Sequence, residues 1–196
     1  GNVYRFMKQP VGLKSFWKML IPQSDGVYYD GNHLGSWDFL GRYALDNGDQ
    51  LRAYFQWPWE DGSGIGKLNG FDGLWGLEWR RQDRWWITAV VVEYLDFMNQ
   101  SGPIHWAPDD SPGTTLRDHA TGGDQYYNNQ HYNGYCNYGM SIGSPFLPGP
   151  VYNLDGYMAY VDNRVRGFHI GVSGAAGPVV DWRVLASYRK GYGDSR

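Results

Sequence analysis

Residues Trp37–Trp59 read WDFLGRYALDNGDQLRAYFQWPW, and their residues alternate in character from one position to the next. One parity is apolar or aromatic: Trp37, Phe39, Gly41, Tyr43, Leu45, Leu51, Ala53, Phe55, Trp57 and Trp59. The other parity is mostly polar: Asp38, Arg42, Asp46, Gln50, Arg52 and Gln56. A period of two is typical of strands with one apolar and one polar face. Because residues 46–49, Asp-Asn-Gly-Asp, suit a tight turn, the stretch predicts a β-hairpin.

The same alternation recurs along the chain. It is found over residues 75–80, which end at a turn at 82–84, and again over 168–173 and 180–188. Residues 85–97 are β-branched and aromatic and predict a further strand, apolar on both faces at its centre. So many strands indicate an all-β, antiparallel architecture.

The connection lengths suggest how these strands are arranged. Short turns are predicted at 46–49, 82–84 and 162–163, and long connections at 8–33, 60–72 and 99–150; only the link at 174–177 departs from this alternation. Short turns on one rim and long loops on the other are typical of a transmembrane β-barrel. A soluble jelly roll or sandwich alternates as well, but large aromatic residues at both strand ends favour the barrel. We therefore expect residues 1–196 to be part of one barrel domain, with 99–150 as a long extracellular or lumen-plugging loop.

The composition excludes several classes of protein. Ten tryptophans and sixteen tyrosines suit sugar-binding surfaces or membrane interfaces, where an apolar ring meets a polar edge. A net charge of -3 without a basic stripe argues against a nucleic-acid partner. The single Cys136 has no partner for a disulfide or a zinc site. The chain does not begin with Met and has no signal segment, so we expect a processed or truncated start.

Residues 122–147 are rich in tyrosine, asparagine and glycine and follow neither a helical nor a strand period. Long loops of this kind are usually functional, and flat rings with polar groups at their edges suit a sugar. The candidate ligand-binding residues in and beside this loop are Trp106, Asp124, Tyr126, Tyr127, Asn128, Asn129, Tyr132 and Tyr135. The alternative is that these residues pack and cap the loop or plug the barrel.

Catalytic chemistry has weaker support in the sequence. A glycoside hydrolase needs two carboxylates in a cleft, and the candidates are Glu60, Asp61, Glu78 and Glu93. Glu78 lies on the polar parity of its strand, where Arg80 is able to neutralise it. The acidic residues show no calcium-loop spacing, and the five histidines form no metal motif. We expect no catalytic residues, no metal and no cofactor.

Eight short motifs, in order along the chain, resemble Wzi-type capsule-assembly outer-membrane proteins, particularly the Bacteroidetes branch. The motifs are Phe16-Trp17-Lys18-Met19-Leu20-Ile21-Pro22, Gly31-Asn32-His33-Leu34-Gly35-Ser36-Trp37, Glu60-Asp61-Gly62-Ser63-Gly64, Asp72-Gly73-Leu74-Trp75-Gly76-Leu77-Glu78, Glu93-Tyr94-Leu95, Gln100-Ser101-Gly102-Pro103-Ile104, Asp124-Gln125-Tyr126-Tyr127-Asn128-Asn129 and Ile142-Gly143-Ser144-Pro145. Together they cover the chain from about Phe16 to Asn153.

This resemblance implies a C-terminal portion of a barrel of roughly eighteen strands in the bacterial outer membrane, with its long loops extracellular. It also implies a lectin-like surface protein that binds capsular or other surface polysaccharide without catalysis. The expected partners are that polysaccharide, outer-membrane lipid and other outer-membrane proteins. The resemblance does not transfer binding residues position by position. A structural barrel subunit with no sugar site of its own therefore remains an alternative.

Overall fold

The computed structural model describes residues 11–21, 34–60, 72–100, 126–127, 136–138, 140–142, 144–149, 151–152 and 158–193. Its one helix in these ranges, α1, spans Leu13–Leu20, and every side chain of that helix is at least partly exposed. The strands are β1 Leu34–Ala44, β2 Gln50–Glu60, β3 Gly73–Arg80, β4 Ala89–Phe97, β5 Cys136–Asn137, β6 Met140–Ser141, β7 Val151–Tyr152, β8 Met158–Ala159, β9 Val165–Ala176 and β10 Val180–Gly191.

Six strands form one antiparallel sheet in the order β1-β2-β3-β4-β9-β10. Neighbours in the sheet are also neighbours in sequence, apart from the excursion between β4 and β9 that carries two small hairpins, β5–β6 and β7–β8. The all-β, antiparallel prediction is confirmed. Among the described strands, β1 and β10 each pair on one side only, so they form the two edges of the sheet.

The hairpin predicted from residues 37–59 forms as β1 and β2. Trp37 lies opposite Trp57, and Ala44 lies opposite Gln50. The turn is closed by the amide of Leu45, which donates to the carbonyl of Asp49 at 2.8 Å, and the side chain of Asn47 accepts from the Asp49 amide at 3.1 Å. The turn chemistry of the sequence therefore sets the register of the first two strands.

Short and long connections alternate between the two rims of the sheet. Residues 45–49, 81–88 and 177–179 connect strands at one end, the short-turn rim, whereas 61–72 and 98–164 connect them at the other, the long-loop rim. The sequence prediction that the link at 174–177 breaks the alternation was wrong, because the predicted turn at 162–163 does not join two strands of the six-stranded sheet. The link itself lies at 177–179, since β9 continues to Ala176. The predicted turn at 162–163 lies within the long connection, just before β9.

A close backbone contact explains why β9 continues through residues 174–176. The amide of Ala175 donates to the carbonyl of Trp85, and the amide of Thr88 donates to the carbonyl of Ser173, both at 2.8 Å. A Cβ atom on Gly174 would collide with the carbonyl oxygen of Trp86. The small residues at the end of β9 therefore admit the 81–88 link alongside the strand, where the sequence suggested a turn. Because residues 85–88 make this contact, β4 begins only at Ala89, although the strand was predicted from Trp85.

One face of the sheet, the apolar face, carries three consecutive cross-strand rows without a charged side chain. The first row has six aromatic residues: Phe39, Phe55, Trp75, Tyr94, Phe168 and Tyr188. The second row is Gly41, Ala53, Leu77, Val92, Ile170 and Ala186; the third is Tyr43, Leu51, Trp79, Val90, Val172 and Val184. Phe55 stacks on Trp75 with ring centroids 3.9 Å apart. No second sheet of the described residues covers this face, and Tyr188 is 66% exposed.

The buried core lies on the opposite face, the polar face, at the long-loop rim. Side chains from β4 and β9 meet tyrosines and a leucine of the excursion there: Leu95, Phe97, Tyr126, Tyr127, Leu147, Tyr160 and Val165. Trp57 and Trp59 belong to the parity of the apolar face but are buried at this rim. The main hydrophobic cluster thus holds the long connection against the polar face and leaves the apolar face uncovered.

Candidate functional site

Two of the eight predicted ligand-binding residues fall within the described residues. Tyr126 and Tyr127 are 1% and 2% exposed, so in this arrangement both rings pack inside the protein. The other six residues lie outside the described ranges: Trp106, Asp124, Asn128, Asn129, Tyr132 and Tyr135. Their assignment to a sugar site remains a prediction.

Tyr126 belongs to a buried hydrogen-bond network that joins three of the sequence motifs. The Gln100 side chain accepts from the Tyr126 amide at 2.7 Å and donates to the carbonyl of Asn163 at 3.1 Å. The Tyr126 hydroxyl lies 2.9 Å from the carbonyl oxygen of Pro58 and 2.7 Å from that of Gln100. The Asp72 carboxylate accepts from the Gln100 amide. The network therefore gives Asp72, Gln100 and Tyr126 a structural role in this chain.

Tyr127 anchors the next part of the excursion. Its hydroxyl donates to the carbonyl of Ile142 at 2.9 Å, and its ring packs on Tyr160 with centroids 5.1 Å apart. The Cys136 thiol donates to the Tyr160 hydroxyl at 3.0 Å. Burial is the largest influence on this thiol and raises the pKa of Cys136, although the hydrogen bond opposes it. A raised pKa keeps the thiol protonated, which fits a packing role.

A groove of about 570 Å³ runs over the polar face between the sheet and residues 144–146. Its apolar lining comes from both the sheet and the excursion: Pro58, Leu74, Leu95, Phe97, Pro145 and Phe146. Its polar lining comes from five strands and one loop residue: Ser36, Asp38, Gln56, Glu93, His169, Ser187 and Ser144. Apolar surfaces beside hydrogen-bonding groups are what a saccharide ring requires.

The polar groups of the groove are held in place by their neighbours. The Ser36 hydroxyl donates to the Asp38 carboxylate at 3.1 Å, and His169 Nδ1 lies 2.7 Å from the Ser187 hydroxyl. The Tyr54 ring lies over Gly76 of the intervening strand β3, and its hydroxyl donates to the Glu93 carboxylate. Asp38 and Gln56 lie directly opposite each other at the side of the groove formed by β1 and β2. This pair therefore presents hydrogen-bonding groups next to an apolar surface.

The sequence did not identify this groove. Its residues come from separate strands, and each by itself is an ordinary polar position of an alternating pattern. The available signal was that Asp38 and Gln56 share one parity, together with the Ser144-Pro145 motif.

Asp162 and Arg189 form an ion pair at the long-loop rim, next to Phe146 of the groove. Arg189 donates to the carboxylate of Asp162 and to the carbonyl of Phe146, and the amide of Gly193 donates to the same carboxylate at 2.9 Å. Burial of Asp162 acts to raise its pKa, but these hydrogen bonds and the arginine charge outweigh burial, so the pKa lies below its ordinary value. The pair therefore favours the folded state only while Asp162 is ionised.

We expect Asp162→Asn to destabilise the protein by about 1 kcal/mol at neutral pH, because the pair is partly exposed. A lowered folded-state pKa contributes stability above the ordinary aspartate value and loses it as the pH falls through the folded value. The difference between wild type and variant should therefore shrink below about pH 4. Urea unfolding of both proteins at several pH values measures this difference in the free energy of unfolding. The control is Asp181→Asn, whose carboxylate is 75% exposed in its pair with Arg84; a pH-independent Asp162→Asn effect would contradict the expectation.

Two of the four carboxylates considered for hydrolysis have described side chains. Glu78 is paired with both Arg52 and Arg80, and Glu93 accepts from the Tyr54 hydroxyl. The side chain of Glu60 and all of Asp61 lie outside the described residues. No group of three or more His, Cys, Asp or Glu side chains suited to a metal ion occurs in the described part of the chain. None of the helical residues that the structure describes forms a helix long and apolar enough to cross a membrane.

Comparisons with known proteins add no relative to this picture. No family model matches the chain, and neither a curated protein nor a solved structure matches it.

Proposed function

We propose that this chain is part of an outer-membrane β-barrel that binds a capsular or other surface polysaccharide without catalysis. The observation that carries the proposal is the uncovered apolar face with its six-membered aromatic row. Contiguous apolar surface of this extent marks an interaction site. In a barrel it is the surface that faces lipid, and the alternate residues face the lumen.

The dimensions of the apolar face support a lipid contact. On β10 every apolar-face position from Tyr188 to Val180 is apolar or aromatic, a span of eight residue steps. This corresponds to ~27 Å along the strand and ~21 Å across a bilayer at a ~40° tilt, close to the ~25 Å of an outer-membrane band. Beyond Tyr188 the same face carries Lys190, next to Arg166 and Asp96 on the neighbouring strands. Trp85 and Trp86 lie exposed at the other rim.

The strand connections support an orientation. Long connections of outer-membrane barrels are extracellular, and short turns are periplasmic. The long-loop rim, with its folded excursion and the groove, would therefore face the cell exterior. The edges at β1 and β10 require further strands, because unpaired strand edges are not tolerated in lipid. A barrel of roughly eighteen strands, as the Wzi resemblance implies, would supply them.

The groove on the polar face supports the polysaccharide part of the proposal. Its volume, its apolar lining and the opposed Asp38 and Gln56 suit a sugar unit that presents both hydroxyls and C–H surfaces. It opens on the side of the sheet that would line the lumen, beneath the long-loop rim. We place the ligand at this groove and regard Tyr126 and Tyr127 as residues that support it.

The test of this proposal is binding of purified capsular oligosaccharide to the protein reconstituted in lipid vesicles. We expect saturable quenching of tryptophan fluorescence and ~10-fold or weaker affinity in Asp38→Ala, since a lost hydrogen bond to a charged group costs ~1.5–3 kcal/mol. The matched control is Asp83→Ala, an exposed aspartate of the short-turn rim. Unchanged emission at saturating oligosaccharide would contradict sugar binding.

A structural barrel subunit is the second candidate function. The burial of Tyr126 and Tyr127 favours it, because residues in the aromatic loop serve packing there. The two candidates make different predictions for the same titration: the lectin quenches and responds to Asp38→Ala, whereas the structural subunit does neither.

A further inference from the structure

A cluster of arginines occupies the polar face near the short-turn rim, away from the groove. Arg42 lies directly opposite Arg52, and Glu78 lies opposite Arg52 on its other side. Arg80 is two residues beyond Glu78 on the same face, and Arg183 shares its cross-strand row through Ala89 and Ser173. Four arginines and one glutamate thus share this part of the polar face in a chain whose net charge is -3.

The single carboxylate does not satisfy these arginines. Glu78 pairs with Arg80 and with Arg52, the latter at 3.4 Å. The Nε atom of Arg52 is buried and has no hydrogen-bond partner in the described part of the chain. Within that part Arg42 and Arg183 have no carboxylate partner either. Like charges at directly opposed positions destabilise a sheet, so the Arg42–Arg52 arrangement favours a bound anion.

Space for such an anion exists beside the cluster. A hollow of about 250 Å³ lies between Arg80 and Arg183 over small residues, Ala89, Gly171 and Ser173. Glu78 also lines it, with its carboxylate paired to Arg80 and Arg52, whereas Arg42 and Arg52 themselves lie outside the lining. The two arginines are three strands apart, ~14 Å between backbones at ~4.8 Å per strand. Arginine side chains on opposite sides of a hollow of this width are able to reach a single group at its centre.

We propose that this arginine cluster binds a ligand through a carboxylate or phosphate group. Arginine presents a planar fork of donors that matches both groups, and charge-assisted hydrogen bonds of this type are roughly twice as strong as neutral ones. The cluster lies on the same face as the groove but uses different residues. An anion site at these arginines goes beyond the proposed function, because it would exist whether or not the groove binds a sugar.

The test is a calorimetric titration of the folded protein in detergent with inorganic phosphate, with an oligogalacturonate and with a neutral dextran oligomer. We expect the two anions to bind, and Arg183→Gln or the double variant Arg80→Gln/Arg183→Gln to weaken binding at least 10-fold. Arg183→Gln keeps the Glu78 pairs intact, so its fold should be retained. The control Arg81→Gln removes an exposed charge that packs on Trp85 outside the hollow and should leave the affinity unchanged.

The outcomes separate the sources of the anion. Tighter binding of oligogalacturonate than of phosphate assigns the cluster to an acidic saccharide, and equal binding assigns it to simple anions; both support an anion site. Absence of anion binding, or equal losses in Arg81→Gln and Arg183→Gln, overturns it. If Asp38→Ala leaves the affinity for capsular oligosaccharide unchanged while the arginine cluster still binds anions, the result contradicts the proposed sugar site in the groove and leaves the anion site standing.

Discussion

Gln100→Ala is expected to lower the free energy of unfolding by about 3–5 kcal/mol. Gln100 is 1% exposed, and its side chain is the only described link between the Tyr126 amide and the Asn163 carbonyl. Its removal deletes both of these buried hydrogen bonds and opens a cavity in the interior. Urea unfolding followed by tryptophan fluorescence measures the change.

Two further variants make this expectation specific. Gln100→Glu keeps the acceptor for the Tyr126 amide but loses the donor to Asn163 and buries a charge, so we expect at least as large a loss. Gln82→Ala, at an exposed position of the short-turn rim, should change stability by less than ~0.5 kcal/mol. Similar effects at positions 82 and 100 would show that the network does not hold the long connection.

The second large effect is expected from an arginine on the apolar face. Val184 and Leu185 are adjacent on β10, point to opposite faces and are 60% and 59% exposed. In water the two positions are equivalent surface sites. In a barrel, Val184→Arg places a charge in the lipid at a cost of about 2–4 kcal/mol, whereas Leu185→Arg points into the lumen. We therefore expect Val184→Arg to fold poorly into lipid vesicles while Leu185→Arg folds nearly as wild type.

The measurement is the fraction of protein folded in vesicles, read from heat-dependent mobility in gel electrophoresis and from urea midpoints. The wild-type protein should also require detergent to remain monodisperse. Equal behaviour of the two variants, together with a monodisperse wild type in plain buffer, would contradict lipid contact at the apolar face. Neither substitution touches Asp38, but Leu185 lines the hollow beside Arg183, so these two variants test membrane insertion and not anion binding.

Local sequence was sufficient to predict the six long strands and their two faces, although the start of β4 and the end of β9 were misplaced. The alternation in residues 37–59 and in 180–188 follows from the geometry of an extended chain, in which successive side chains point to opposite sides. The turn at Asn47 was predictable for the same reason, since its hydrogen bonds are made within a few residues. The parity that carries Trp75, Phe168 and Tyr188 therefore determines the composition of the apolar face independently of any tertiary contact.

The burial of individual side chains and the grouping of polar residues were decided by tertiary structure, because both depend on contacts between distant parts of the chain. Gln100 meets Asn163 across 63 residues, and the Tyr126 hydroxyl reaches the carbonyl of Pro58 across 68, so no local pattern could show that Tyr126 is buried. The groove and the arginine cluster depend on the register of five or six strands, which places Asp38 beside Gln56 and Arg42 beside Arg52. The sequence by itself determined which side of each strand is apolar, because that is a property of neighbouring residues. Which polar side chains converge was decided by the sheet, because convergence depends on pairings between segments far apart in the chain.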